Sequence, residues 1–216
     1  RIVFRNARQA SYYLITTNFA EIATLITAML LGMPIPLSAI QILWLNLVTD
    51  GTADMALATE PGHGKVMNEK PLNKDEPLLN RNIFPLLIIN TLLMTGLSIG
   101  AFMYFLPSGV EYGRSAVFVT MTFTQLFNVL NMRSLKESLF EIGIWSNTYI
   151  TLSIVGSTAM TILITQVEMF TDIFGFGRLA PFEFVVLFVA SSLVLWFGEL
   201  CKLVNKRGGT FRQASQ

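Results

Sequence analysis

Apolar residues run almost unbroken through most of this chain and polar residues gather between the runs, a pattern that repeats six times. A helix needs roughly 20 predominantly apolar residues to cross about 30 Å of hydrocarbon. Stretches of that order fall near 12–31, 37–58, 83–105, 115–132, 149–167 and 182–203. The expected fold class is all-α, a polytopic membrane protein with six transmembrane helices. "GMPIP" at 32–36 leaves room only for a tight turn, so the first two helices form an antiparallel pair. The connection 59–82 is the longest polar segment and carries Pro61, Gly62, Gly64, Pro71 and Pro77. It reads as a loop too short to bury a core of its own. The expected organisation is 1–58 as a stalk plus hairpin, 59–82 as a cytoplasmic loop, 83–203 as four supporting helices and 204–216 as a flexible cytoplasmic tail.

Composition agrees, with 52% hydrophobic and 13% charged residues, outside the usual range of a soluble domain. The net charge of +1 indicates no particular partner, but its distribution indicates an orientation. Arg1, Arg5 and Arg8 precede the first span, and Lys65, Lys70, Lys74 and Arg81 follow the second. Arg133 and Lys136 follow the fourth, and Lys202, Lys206, Arg207 and Arg212 lie at or beyond the end of the sixth. The alternate connections hold only Arg114 and Arg178, so the positive-inside rule places both termini in the cytoplasm. The lone Cys201 excludes an internal disulfide and reads as a small buried hydrophobe. His63, between two glycines and without a ligand-spaced partner, reads as a solvated loop residue. No signal peptide is expected, and the chain reads as a piece of something longer. Paired six-helix halves, as in many secondary transporters, do not fit in this length.

The candidate chemistry lies where the pattern is broken. A charge at the centre of a span costs roughly 2.5–3.5 kcal/mol on insertion scales, yet Glu21, Asp50 and Asp54 fall within the first two spans, with no Lys or Arg there to pair with them. A bound cation, a proton or a water-filled path offsets such a cost. Asn18 and Glu21, three apart, share a helix face, as do Asn46, Thr49 and Asp50. The short turn between these helices lets the two faces meet. Gln125, Asn128 and Asn131 form a third polar stripe. All are hard oxygen donors without thiolate or imidazole, which suits calcium, magnesium, manganese or an alkali ion better than zinc or copper. Calcium takes 6–8 oxygens at about 2.3–2.6 Å. One oxygen each from Asn18, Asn46, Thr49 and Gln125, with one or two each from Glu21 and Asp50, comes close to that number. Gly51 lets the helix loosen and free backbone carbonyls as further ligands. Asn90, Asn128 and Asn131 also suit plain helix packing, and Glu199 is placed for an ion pair with Lys202.

"YYLITTNFAEI", "QILWLNLVTDG" and "ALATEP" together resemble the carboxy-terminal membrane region of type II P-type ATPases, the calcium-pump group, over nearly the whole chain. "FNVLNMRS" and the later "FEIG" look like that family's eighth helix and the loop after it. The resemblance implies the fifth to tenth helices of a ten-helix pump exporting Ca2+ from the cytosol, with Mg2+ and ATP used only by the full-length protein; the plasma membrane is the expected location. It implies that Asn18, Glu21, Thr49 and Asp50 match ligands of a first calcium site, and Asn46 with Asp50 part of a second. Gln125 stands where reticulum-type pumps have glutamate and plasma-membrane-type pumps glutamine. Glu21 keeps an acid that the latter lack, so the number of ions per cycle stays open. Asp54, where the family has a small or apolar residue, lies about one turn, roughly 5.4 Å, from Asp50 toward the cytoplasm. It is placed either to line a cytosolic access path or to be a plain interfacial acid.

The Asp-Lys-Thr-Gly-Thr phosphorylation motif does not occur in this sequence. The resemblance assigns it, with the actuator, phosphorylation and nucleotide-binding domains and the first four helices, to the rest of the same polypeptide. The fragment alone is therefore not expected to hydrolyse ATP, and no nucleic acid partner is expected. Once the cation leaves, Glu21 and Asp50 are uncompensated charges in hydrocarbon, and protons neutralise them, which predicts proton counter-transport. A P-type pump for sodium, potassium or manganese, a stand-alone six-helix channel or secondary transporter, and a structural scaffold remain open at this point.

Overall fold

The computed structural model describes residues 1–62 and 83–208. The polar connection from residue 63 to 82, with His63 and its basic residues, lies outside the described residues, as does the tail from 209. Among the described residues every regular element is helical. Among those residues, four helical stretches are long and apolar enough to cross a membrane: Ile2–Leu30, Phe84–Ser108, Thr148–Gln166 and Pro181–Val204.

Helix α1 (Ile2–Leu30) starts about ten residues before the apolar run does. At 1.5 Å per residue it is about 44 Å long, more than the roughly 30 Å of hydrocarbon, so one end extends beyond the span. Its buried face carries Tyr13, Thr16, Thr17, Glu21 and Thr24, while Phe19, Ile22, Ile26 and Met29 are exposed. The polar stripe thus faces the bundle and the apolar one faces outward, as a membrane solvent requires. A turn at Gly32, whose φ of 66° suits a residue without a Cβ, leads to the interrupted helix that follows. It comprises α2 (Ala39–Trp44), a π-helical segment (Leu45–Asp50) and α3 (Gly51–Ala58).

Helices α4 (Phe84–Phe105) and α5 (Val110–Met132) form a second antiparallel pair. Their close approach depends on Gly113, where a Cβ would come within 2.7 Å of the Phe102 ring. Helix α5 is the centre of the bundle. From Ser115 to Met132 all its residues are buried except the half-buried Phe127, because α1, α3, α4, α7, α9 and α10 pack around it. A helix wrapped on every side by protein need not be apolar, which explains how this one accommodates so many threonines and amides.

Short α6 (Leu139–Ile142) leads to α7 (Thr148–Gln166), then α8 (Glu168–Phe174), α9 (Pro181–Ser191) and α10 (Leu193–Gly208). The last apolar run is thus one candidate span, Pro181–Val204, made of α9 and the start of α10. It breaks at Ser192, whose hydroxyl donates to Val189 O at 2.6 Å. The helix then continues to Gly208, past the expected start of the tail at residue 204. On α10, Gly198 lies so close to Asn131 that a Cβ would come within 2.3 Å of its amide.

Candidate cation site

Three elements bring the site together: α1, the π-helical segment and α5. Tyr13, Thr17 and Glu21 recur every four residues, so they line one side of α1. Glu21 and Asp50 are both buried, at 3% and 1% exposure. Asp50 accepts hydrogen bonds from Tyr13 Oη on Oδ1 and from Thr17 Oγ1 on Oδ2, both at 2.8 Å. Glu21 accepts from Asn46 Nδ2 on Oε2 at 3.1 Å and from Gln125 Nε2 on Oε1 at 2.9 Å. All four carboxylate oxygens thus meet neutral donors from protein. Among the described residues no lysine or arginine pairs with either acid.

The loosening expected at Gly51 is displaced. Gly51 itself is helical, with φ −61° and ψ −44°. A Cβ there would meet only Asn46 O at an ordinary 3.5 Å. The wider turn lies before it, where Gly51 N–H donates to Asn46 O five residues back. Such single-turn π segments recur at functional sites because the extra residue re-aims side chains. Here Asn46 is directed at Glu21 and Asp50 at Tyr13 and Thr17, all on α1.

The other expected donors divide. Thr49 is buried and its Oγ1 has no hydrogen-bond partner, and Gln125 Oε1 is likewise buried without one. Asn18 is half-buried and its amide donates to Leu14 O of its own helix at 2.8 Å, so it takes no part in the Glu21–Asp50 network. Asp54 is also half-buried, its Oδ1 lacking a partner, and no hydrogen bond joins it to that network. The amide stripe of α5 diverges: Gln125 reaches Glu21, Asn128 accepts from Asn90 at 2.7 Å, and Asn131 donates to Val194 O at 2.7 Å. Glu199 pairs with Lys202 at 2.9 Å and also accepts from Leu139 N–H and the Ser138 hydroxyl. Tyr13 and Thr17 are the residues that sequence reasoning left out. Their fourfold spacing with Glu21 was the available signal.

Two carboxylates with amide and hydroxyl oxygens around them are a donor set that suits a hard cation better than a soft one. No group of three or more histidines, cysteines or acids gathers among the described residues, so any further ligands are amide, hydroxyl or backbone oxygens. Asn46 and Gln125 donate here because a carboxylate is acceptor only. A half-turn of either amide presents its oxygen instead.

Residues 34–204 match the family described as "Cation transporting ATPase, C-terminus". The chain is 31% identical over 224 residues to calcium-transporting ATPase 1 of Bacillus cereus, covering 95% of this chain and 25% of that protein. Against the calcium-transporting ATPase of Bacillus subtilis the identity is 30%, with 89% of this chain and 22% of that protein covered. Human calcium-transporting ATPase type 2C member 1 is 27% identical, with 94% and 22% covered. The chain spans about a quarter of the length of the curated relatives it matches. With two-thirds of its length or more inside the family match and a helical bundle built around buried acids, this chain belongs to the family of cation-transporting ATPase C-terminal regions, the membrane portion of type II P-type ATPases.

Proposed function

We propose that this chain is the ion-coordinating membrane part of an ATP-driven pump that exports Ca2+ from the cytosol, with both termini cytoplasmic. In this reading residues 39–58 and α5 also cross the bilayer, which gives six spans, the fifth to tenth of the pump. The actuator, phosphorylation and nucleotide-binding domains and the first four helices are its partners in the same polypeptide. The observation that carries the reading is the burial of Glu21 on α1 and Asp50 on the π segment, each accepting hydrogen bonds from neutral donors and neither paired with a cation. The names of the relatives support Ca2+ as cargo.

Glu21, Asn46, Thr49, Asp50 and Gln125 supply the ligands. Asn18 joins them once its amide leaves Leu14, and Asp54 lines the cytosolic approach. Protons return on the two acids after release. The full-length protein, reconstituted in sealed vesicles, is expected to show ATPase activity stimulated by Ca2+ above Na+, K+ and Mn2+. Asp50→Asn and Glu21→Gln should each remove that stimulation, and uptake should be accompanied by opposite proton movement. Full transport by both variants would overturn the site. Another cation in first place would overturn the cargo, and pH-independent uptake without proton movement would overturn the counter-transport.

A further inference from the structure

A second buried charge cluster lies at the end of the bundle where α1 begins and α3 and α5 end. Arg133, the residue that ends α5, is fully buried, and each of its five N–H donors has an acceptor. Nε and Nη2 donate to Glu60 Oε1 at 3.0 and 2.8 Å, and Nη1 to the carbonyls of Gly143 and Ile144 at 3.0 and 3.1 Å. The second Nη2 proton goes to the Ser146 hydroxyl. Asn147, whose Oδ1 caps α7, donates through Nδ2 to Glu60 Oε2 at 2.6 Å. The α1 helix holds the same residue from the other side. Asn6 Nδ2 donates to Ala58 O at 3.1 Å and Glu60 O at 2.8 Å, and Gln9 Nε2 to Arg133 O at 3.1 Å.

Every helix that contributes to the Glu21–Asp50 network is thereby tied at one point. Glu60 follows α3, roughly 15 Å along the chain from Asp50 at 1.5 Å per residue. Arg133 caps the end of α5 roughly 12 Å from Gln125 by the same measure. The backbone of Glu60 is held by α1, and its carboxylate by α5 and by the cap of α7. Sliding α3 along its axis, the motion that would separate Asp50 from Tyr13 and Thr17, cannot occur without breaking this set.

We propose that Glu60 is a positioning residue for the cation site: clamped between Asn6, Arg133 and Asn147, it fixes the axial register of α3, and so places Asp50 against α1 and α5. The inference rests on the proposed pump reading for its effect on cations, but its geometry can be tested without it. The full-length protein would carry Glu60→Gln with Arg133→Gln, a double variant that leaves no lone buried charge and so is less destabilised than removal of either partner alone. Spin labels on cysteines replacing the exposed Phe19 of α1 and Met55 of α3, in a background without other cysteines, would report the helix-to-helix distance. The Ca2+ concentration for half-maximal ATPase would report the site.

The expected result is a shifted or broadened distance distribution and a half-saturating concentration raised about tenfold or more, because misplacing positioned groups by about 1 Å from a remote change is costly. Arg133→Lys, which keeps the charge but not the fork, should fall between. A merely local stabilising role would lower the maximal rate with the amount of folded protein and leave half-saturation unmoved. An unchanged distance or an unchanged half-saturation in the folded double variant would overturn the proposal. A parent protein without cation dependence whose distance still shifts in the variant would count against the pump and for the clamp.

Discussion

Asp50 and Glu60 are ten residues apart on one stretch of chain and equally buried, each 1% exposed, yet their company is opposite. Glu60 meets a fully buried arginine whose donors are all used. Asp50 meets a phenol and a hydroxyl, and its companion acid Glu21 meets two amides. A buried carboxylate is costly in either place. At Glu60 the chain itself supplies the counter-charge, and the result is a fixed structural joint. At Glu21 and Asp50 the chain supplies dipoles alone, which leaves room for a charge that comes and goes. The same side-chain chemistry therefore serves anchoring in one place and, in the proposed reading, transport in the other.

The largest effect expected from breaking this comparison is on stability. Arg133→Ala strands Glu60 as a lone buried charge and should cost about 3–5 kcal/mol, read as a lowered unfolding temperature in detergent. Asp50→Asn removes a charge that has no cationic partner but leaves one oxygen for its two hydroxyl donors, so without added cation it should cost less, about 1–2 kcal/mol. Equal losses in the two variants would erase the distinction. Next in size is the response to ligand. At a concentration of Ca2+ about 100 times its dissociation constant, the parent should gain about 2.7 kcal/mol. The Glu21→Gln/Asp50→Asn double variant should gain nothing, and equal gains would place the ion elsewhere. A smaller loss, about 1–2 kcal/mol, is expected for Tyr13→Phe, which keeps the ring and deletes the 2.8 Å hydrogen bond to Asp50. An unchanged unfolding temperature would mean that this bond contributes nothing.

The sequence carried the two acids, their helices and their lack of a cationic partner, because a charge within an apolar run is conspicuous in one dimension. It did not carry the fate of the α5 stripe. Residues three apart on a helix drift by about 60° each step at 3.6 residues per turn. Gln125, Asn128 and Asn131 consequently point at three neighbours: α1, α4 and α10. Asn18 illustrates a second limit, since a backbone carbonyl one turn back competes for its amide and nothing in the spacing decides between the two. The π segment lies just before Gly51, and the residues it re-aims, Asn46 and Asp50, bond to α1, contacts between helices that a glycine in the sequence does not disclose. The Glu60 clamp was invisible for another reason. Its partners at 6, 133 and 147 come from three distant parts of the chain, and no local period joins them.

Thr49 gives the smallest and most discriminating test. Its hydroxyl is buried without a hydrogen-bond partner, so replacing it with the near-isosteric valine removes an unsatisfied polar atom and keeps the shape. If the hydroxyl serves packing alone, Thr49→Val should be neutral or stabilising by up to about 1 kcal/mol, with no change in cation response. If it is a ligand, stability without cation should again hold or rise, while the Ca2+ concentration for half-maximal ATPase increases severalfold. Stability and affinity move in opposite directions only when the atom is kept for something outside the chain. A variant that loses both together would show that Thr49 has an intramolecular partner and belongs with the anchoring chemistry of Glu60.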